Sequence, residues 1–403
     1  MKRNIITLEK PERFTEPYSI SKAKLEAAAQ IAIDEVEKLG RQNGTMFPLT
    51  RAGFRYFFED ANKGWLSGMY NGLFWLCYEL TGNTWFKNQA EALAATFQKR
   101  FDEKIGMDDH DIGFDFIPSC VAQYRITGSE KARKLALDAC EYFYEHSYSK
   151  EGKFIIRSWK SWDKGPGCRT MMDSMMNAPL LFWAAKETGN EEYFKAARDH
   201  VKTTEELLIR ADGSSYHHYQ FDPATAAPVR GLTLQGRNDE SCWSRGHAWG
   251  VYGFPVAYAI TNESYLVDVH RDISYFMLNH LPDDFVPAWD YDYTYVNAIK
   301  DSSAGVISAC GFMEMANRLP EGAADKNIFT NAAMRILDAT IDTCSGPNGI
   351  DDKDGLIYHV TGYASNPDAA KRTVDNIAVY GDYFYLEALT RLLKPDYKSY
   401  WLG

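Results

Sequence analysis

The sequence lacks the short motifs that mark several large enzyme classes. It contains no Gly-x-Gly-x-x-Gly or Gly-x-x-x-x-Gly-Lys-Ser/Thr segment, which removes the usual loops that hold nucleotide phosphates. It contains no Gly-x-Ser-x-Gly segment, so we expect no nucleophile elbow. No apolar run approaches the roughly 20 residues that span a bilayer, and we identify no signal peptide at the N-terminus. These absences predict a cytoplasmic protein that does not contact a membrane.

Cysteine and histidine are also scarce and poorly spaced for metal binding. The seven cysteines are an odd number without Cys-x-x-Cys spacing, and several lie inside apolar helical patterns. This distribution is typical of reduced, buried thiols. The adjacent pair His217 and His218 lacks the spacing of metal ligands. The sequence therefore predicts no metal site and no disulfide.

Positive charge is in deficit, with a formal net charge of -11. An acidic protein is a poor partner for nucleic acid or for an anionic membrane surface. A small acidic substrate held by local cations stays compatible with this charge. Aromatic residues, in contrast, make up 14% of the chain. Surplus aromatics beside carboxylates are typical of sugar-binding sites, although a large helical core would also use them.

Six segments of the chain share one layout, in which about 15 residues are apolar on nearly all faces. They are 65–80, 113–126, 175–187, 249–260, 304–319 and 379–393. Four of them end at a Gly or Asn helix stop and are followed by a more amphipathic helix, at 84–101, 130–146, 191–209 and 265–281. We predict a single all-α domain over residues 1–403, with buried helices inside a ring of half-buried ones and residues 1–19 as a polar extension.

Two carboxylates stand where inner helices begin. Asp111 lies in a segment, 107–119, that carries three further aspartates and His110, and Asp173 precedes the apolar run 178–185. Two acids brought to one face of the ring suggest a paired acid/base site. The alternative is that both are helix N-caps, because aspartate is a preferred cap.

Four motifs resemble one known family, the unsaturated glucuronyl hydrolases of glycoside hydrolase family 88, over about residues 20–395. They are Asp-His-Asp-Ile-Gly-Phe (109–114), Met-Asp-Ser-Met-Met-Asn-Ala-Pro-Leu-Leu (172–181), Trp-Ser-Arg-Gly-His-Ala-Trp-Gly-Val-Tyr-Gly-Phe (243–254) and Asp-Ser-Ser-Ala (301–304). The resemblance implies an (α/α)6 barrel. It also implies an enzyme that needs no cofactor and removes an unsaturated uronic acid from lyase products by hydrating its C4=C5 double bond.

The resemblance assigns roles to individual residues. Asp173 matches the general acid/base and Asp111 its carboxylate partner; because two nearby carboxylates do not both ionise easily, we expect one raised pKa. Arg245 would pair with the uronate carboxylate, unless it forms only a surface ion pair. The substrate-binding positions that the resemblance implies are Trp65, His110, His217, Gln235, Trp243, Arg245, Trp249, Ser365 and Lys371. Trp65 and Trp243 would stack on sugar faces, unless the tryptophans only pack in the core.

Several questions stay open at this point. His217 is preferred over His218 on spacing alone, and His247 stands where many relatives carry glutamine. Ser365 and Lys371 would meet sulfated fragments, but Pro367 and Asp368 alter the loop pattern of such relatives. The parent polysaccharide could be chondroitin, hyaluronan, heparin, ulvan or gellan. We expect a monomer or a weak homo-oligomer.

Three other functions compete with this assignment. The first is an unsaturated rhamnogalacturonyl hydrolase of the same fold. The second is an inverting glycosidase acting on saturated sugars with its carboxyl groups roughly 6.5 to 9.5 Å apart. The third is an inactive sugar-binding module, which would have to lack one of the two acids that this chain carries.

Overall fold

A computed structural model describes residues 4–49, 53–158, 160, 168–346, 353–368 and 372–403. Lys371, which we predicted to bind substrate, lies outside the described residues. The helices run in the order α1 Glu12–Thr15, α2 Lys22–Asn43, α3 Ser67–Thr81, α4 Thr84–Asp102, α5 Ile112–Phe116, a π-helix Ile117–Val121, α6 Ala122–Thr127, α7 Glu130–Ser147, a 3-10 helix Met172–Met176, α8 Pro179–Thr188, α9 Glu191–Leu208, α10 Ser244–Thr261, α11 Tyr265–His280, α12 Ser302–Arg318, α13 Ala324–Thr343, α14 Val379–Leu393 and a 3-10 helix Tyr400–Leu402.

The apolar helices form an inner ring. Neighbouring pairs contact each other from α3 through α5, α8, α10 and α12 to α14, and α14 packs against α3 to close the ring. The amphipathic helices α2, α4, α7, α9, α11 and α13 pack outside them. Inner helices bury residues on every face because they contact both neighbours and an outer helix, whereas outer helices keep one face in solvent. The predicted all-α barrel is confirmed.

The predicted helix stops are confirmed as left-handed caps. Gly82, Gly128, Gly189 and Asn262 have φ between 56° and 72°. The backbone N–H of each donates to a carbonyl of the last helical turn. These four inner segments therefore end at a sharp turn, and the following outer helix starts within a few residues.

The second inner segment is not the continuous helix we predicted for 113–126. It consists of α5, a five-residue π-helix and α6. Pro118 lies near the start of the π-helix, and its missing N–H removes one bond of a regular α-helical ladder. The wider turn therefore replaces regular helix directly after the segment that begins at Asp111.

Short strands lie in the long loops between the predicted helices. They are β1 Phe47–Pro48, β2 Phe58–Glu59, β3 Tyr148–Ser149, β4 Phe154–Ile155, β5 Arg169–Met171, β6 His218–Phe221 and β7 Pro228–Leu232. The last three form one antiparallel sheet in the order β5-β6-β7. This sheet joins the loop before Asp173 to the loop after α9, so it fixes two long loops relative to each other.

Both ends of the chain pack against the barrel. The N-terminal segment that we expected to be a polar extension buries Phe14, while Arg13 donates to the carbonyls of Leu281 and Pro282. At the other end, Trp401 lies against the rings of Phe114 and Phe384. Among the described residues no helix is long and apolar enough to cross a membrane.

Candidate active site

The two predicted acids lie on the face where the inner helices begin. Asp111 occupies the N-cap position of α5, yet its side chain makes no capping hydrogen bond. Asp173 lies inside the 3-10 helix before α8, and the residue that caps that helix is Met171. The N-cap alternative is therefore wrong for both aspartates, and their carboxyl groups serve other contacts.

Asn177 links the segments that carry these acids. Its amide nitrogen lies 3.2 Å from Oδ1 of Asp111 and 3.2 Å from the backbone carbonyl of Asp173. Its amide oxygen accepts the backbone N–H of Phe114 at 2.7 Å. One buried side chain thus joins the start of α5 to the turn that carries Asp173.

The β5-β6-β7 sheet delivers His217 to Asp173. Met171 pairs with His218 across the sheet, and the Met172 N–H donates to the His217 carbonyl at 2.9 Å. Nε2 of His217 then lies 2.8 Å from Oδ2 of Asp173. His218 makes no such contact, so the structure brings His217, and not its neighbour, to the acid.

Arg245 is held in a buried aromatic sandwich. Its guanidinium carbon lies 4.5 Å from the Trp243 ring centroid and 4.4 Å from that of Tyr380. Nη1 donates to Asp301 and to the Thr361 carbonyl, both at 2.8 Å. Within the described residues Nε and Nη2 make no hydrogen bond, so they can bind a carboxylate. The ion pair is buried, and the alternative of a surface ion pair is wrong.

Ring contacts connect the rest of the site. Trp65, just before α3, stacks on Tyr380 with 5.5 Å between ring centroids and 15° between planes. Trp243 packs against His217 at 4.5 Å. A continuous chain of contacts therefore runs from Trp65 through the arginine sandwich to the histidine bound to Asp173.

The ionisable groups of the site have shifted pKa values. Burial raises the pKa of Asp111 to about 8, with support from the charges of Asp109 and Asp173 and against the effect of His110. Burial disfavours the charged ring of His110, but Asp111 and Asp109 outweigh it and raise its pKa to about 9. One carboxyl group thus keeps a proton near neutral pH, as predicted.

The Asp173 pair behaves differently. Burial lowers the pKa of His217, because the ring loses its hydration and Arg245 lies nearby, so the ring is neutral near pH 7. Burial acts to raise the pKa of Asp173, but the contact with His217 lowers it. In the free site the raised pKa belongs to Asp111, and Asp173 is the more acidic partner.

Asp109, His110 and Asp111 are the one group among the described residues that offers three possible metal-ligand atoms, which lie within 4.8 Å of one another. In this arrangement the ring of His110 lies between the two carboxylates, with Nδ1 2.6 Å from Asp109 and Nε2 3.3 Å from Asp111. The imidazole therefore lies within ion-pair distance of both carboxylates.

Other predicted residues lie at the rim or beneath the site. Gln235 is half-buried in the loop after β7, and Ser365 donates from its hydroxyl to the carbonyl of Gly236 at 2.5 Å, which brings these two loops together. Trp249 is 1% exposed and packs between the rings of Phe114 and Phe384. It therefore belongs to the wall beneath the site, where the core-packing alternative applies.

His247 also belongs to that wall. Its ring lies 2.9 Å from the Ser215 hydroxyl and 2.8 Å from the Ile273 carbonyl, and burial lowers its pKa to about 4. A neutral histidine with both nitrogens engaged ties α10 to α11. The role of His247 is therefore structural, because it links these two helices.

A cavity of about 310 Å³ opens beside Asp111, with Trp65, Asp109 and Asp115 among its lining residues. A larger groove of about 940 Å³ runs along α8 and α9, where Phe182, Trp183 and Leu402 line it. That groove holds none of the predicted site residues. The carboxylates and the buried cation, and not this larger groove, therefore mark the candidate active site.

Comparison with known proteins agrees with this location. The family model of Glycosyl Hydrolase Family 88 matches residues 41–394. The chain belongs to this family. It is a glycoside hydrolase.

Individual relatives match over nearly the whole chain. An unsaturated chondroitin disaccharide hydrolase of Streptococcus pneumoniae is 34% identical over 400 residues, covering 98% of this chain and 99% of that protein. The crystal structure of unsaturated glucuronyl hydrolase from Streptococcus agalactiae superposes with a TM-score of 0.92 at 32% identity, covering 100% and 99% of the two chains. An aspartate-to-asparagine mutant of that hydrolase, complexed with dGlcA-GalNAc6S, gives a TM-score of 0.85 at 30% identity, with the same coverage.

Three residues of this family-88 site were missed from sequence. Asn177 and Asp301 stand inside motifs we quoted, but nothing in the motifs indicated what they contact. Tyr380 is the second residue of α14, and its ring lies between Trp65 and Arg245. Its position at the first turn of an inner helix, the place where the acids also occur, was the available signal.

Proposed function

We propose that this chain is an unsaturated glucuronyl hydrolase that releases the Δ4,5-unsaturated uronic acid from the non-reducing end of glycosaminoglycan-type disaccharides. The observation that carries the proposal is the buried Arg245, which is joined to Asp173 through Trp243 and His217 and whose Nε and Nη2 make no hydrogen bond among the described residues. A uronate needs a cation for its carboxylate within one sugar ring of the reacting carbons. The relative crystallised with dGlcA-GalNAc6S supports the same substrate class.

In the proposed reaction Asp173 delivers a proton to C4 of the vinyl ether. Positive charge develops at C5 and the ring oxygen, and Asp111 stabilises it once its own carboxyl group has lost its proton. Asp173, now ionised, takes a proton from a water molecule that adds to C5. The product is a hemiketal, which opens and releases the remaining sugar from C1 without any attack on that carbon.

In the free site the pKa of Asp173 is lowered, so its carboxyl group is ionised. Substrate binding must therefore raise this pKa before Asp173 can act as an acid. A bound uronate adds a negative charge and removes the remaining water around Asp173, and both effects raise a carboxyl pKa. The proton then comes from solvent, and the ring of His217, 2.8 Å from Asp173, can hydrogen-bond to the carboxyl group in either protonation state. Substrate binding therefore prepares the acid form.

The other predicted residues would bind the sugar rings and their substituents. Trp65 is partly exposed and offers a ring face beside Tyr380, whereas Trp243 is buried and supports the guanidinium of Arg245. His110 would bind a sugar hydroxyl beside Asp111. Gln235, Ser365 and Lys371 would contact the second sugar and any sulfate on it, because the loops of Gln235 and Ser365 meet at the rim.

A panel of lyase-generated disaccharides tests the proposal. The ultraviolet absorbance of the C4=C5 bond should disappear with chondroitin-type substrates, and the saturated disaccharides should stay intact. A reaction run in deuterium oxide should place deuterium on C4 in early product, as followed by proton NMR. Early product with only protium at C4, or cleavage of saturated disaccharides, would point to an ordinary inverting glycosidase instead.

A further inference from the structure

Asn177 is a buried amide whose orientation is fixed by its surroundings. The Phe114 N–H is a donor, so the amide oxygen must face it, at 2.7 Å. The amide nitrogen is then left to face two acceptors, Oδ1 of Asp111 and the carbonyl of Asp173. Because each contact demands the same orientation, an inverted amide would leave donor facing donor and acceptor facing acceptor.

This arrangement distinguishes the two oxygens of Asp111. Oδ1 accepts a hydrogen bond from the Asn177 amide at 3.2 Å, and Nε2 of His110 lies 3.3 Å away without forming one. A proton on Oδ1 would compete with the amide N–H for that oxygen. The proton that Asp111 keeps must therefore be on Oδ2, for which the described residues offer no hydrogen-bond donor.

The backbone is shaped for this contact. Gly113 lies so close to Asn177 that an added Cβ would sit 2.5 Å from its Cα and 2.8 Å from its Oδ1. Real Cβ atoms do not approach that closely, so only glycine allows α5 to reach Asn177. The close approach brings the Asp111 segment within reach of the turn that carries Asp173.

From these contacts we propose that Asn177 is a positioning residue for the acid pair. Its amide nitrogen occupies Oδ1 of Asp111, confines the exchangeable proton to Oδ2, and ties that carboxyl group to the turn of Asp173. Asn177 acts on the reaction through these two aspartates and not by touching substrate. The assignment deepens the proposed function and rests on it for the role of the aspartates.

Several other charged groups face Asp111 and must be considered with it. They are His110 and Asp109 before α5, Asp115 within α5 and its partner Arg100 on α4, Asp173 on the 3-10 helix with its partner His217, and Lys63, Lys104 and Lys160 along the cavity. These groups are unchanged in an Asn177 variant. Differences from wild type therefore report the amide itself.

The first test is Asn177→Ala, with Asn71→Ala as the matched control. Asn71 is also a buried amide on an inner helix, and its nitrogen donates to the Ala90 carbonyl away from the acids. We expect Asn177→Ala to lower kcat about 10- to 100-fold, the effect of losing a hydrogen bond to a charged group, with little change in KM. Both variants should lose thermal stability, but Asn71→Ala should keep its kcat. Equal kcat losses in the two variants would overturn the proposal.

The second test is Asn177→Asp, measured as a function of pH. One new carboxyl oxygen can still accept the Phe114 N–H, but the other faces the two acceptors and must carry a proton to bind them. Like charges raise the pKa of such a group. Relative to wild type, kcat should be highest at low pH and fall at least about tenfold as the new group ionises. A ratio that does not vary with pH would contradict the proposal.

A third readout does not depend on turnover. The infrared band of the protonated Asp111 carboxyl can be isolated by subtracting the spectrum of an Asp111→Asn protein. Loss of the amide donor disfavours the ionised form, so in Asn177→Ala this band should persist to a pH about one unit higher, which matches a tenfold effect. An unchanged midpoint would refute the role of Asn177. If the wild-type protein turns over no unsaturated disaccharide but the pH midpoint of the band is still shifted in Asn177→Ala, only the proposed function is refuted.

Discussion

Replacement of Arg245 by lysine tests how the uronate is bound. Nη1 of Arg245 donates to Asp301 and to the Thr361 carbonyl, whereas Nε and Nη2 make no hydrogen bond among the described residues. Its flat guanidinium also fills the space between Trp243 and Tyr380, at 4.5 Å and 4.4 Å from their ring centroids. A lysine ammonium is a single point charge, so it can stay with Asp301 or reach the uronate, but it does not do both with paired bonds.

The structure sets the size of the expected effect. A hydrogen bond between charged groups contributes about 1.5 to 3 kcal/mol. Loss of one such bond should lower kcat/KM about 10- to 150-fold. Because the uronate carboxylate is charged both before and during the reaction, most of this loss should appear as a raised KM, with kcat changed much less.

The assay compares two substrates. One is the unsaturated disaccharide, and the other is the same disaccharide with its uronate carboxylate methyl-esterified. Arg245→Lys should lower kcat/KM strongly for the first and only slightly for the second, because the ester offers no charge to lose. Arg210→Lys is the matched control, since Arg210 also stacks on a ring, that of Tyr216, but binds only protein groups. The same loss with both substrates would refute the assignment of Arg245 to the uronate.

Three further predictions concern the acids and the stability of the barrel. Asp173→Asn should lower kcat at least about 100-fold with folding intact, the usual effect of losing an acid/base group; a folded variant with near wild-type kcat would remove Asp173 from the mechanism. The protonated carboxyl band of Asp111 should be present in infrared spectra at low pH and disappear as the pH rises through about 8, whereas disappearance near pH 4 would show that burial does not raise this pKa. Trp401→Ala removes a fully buried ring that also donates to Glu387 at 3.2 Å. The loss of about 3 to 5 kcal/mol in the free energy of unfolding should lower Tm by about 4 to 6 °C in calorimetry. Trp401→Phe should lose less, and an unchanged Tm in Trp401→Ala would show that the C-terminal turn does not support the barrel.

The fold was largely predictable because its signals are local. An inner helix is apolar on all faces and ends at Gly or Asn, and both features are written in consecutive residues. Position at the first turn of such a helix also pointed to Asp111, since the starts of inner helices meet on one face of a ring. The π-helix at 117–121 and the β5-β6-β7 sheet were not predicted, because each depends on packing between segments distant along the chain.

Local patterns in the sequence place two aspartates, an arginine and several aromatic rings on the candidate face, because each is attached to the start of an inner helix or to the loop before it. The partners of these side chains depend on how the helices and loops pack. Sheet register turned His217, and not His218, toward Asp173, and ring closure placed Tyr380 between Trp65 and Arg245. The pKa values followed from burial and from charges brought together across the ring, so the assignment of the retained proton to Asp111 required the fold. Helix propensity is set within a few residues, whereas these contacts join residues that are distant in the chain, such as Trp65 and Tyr380.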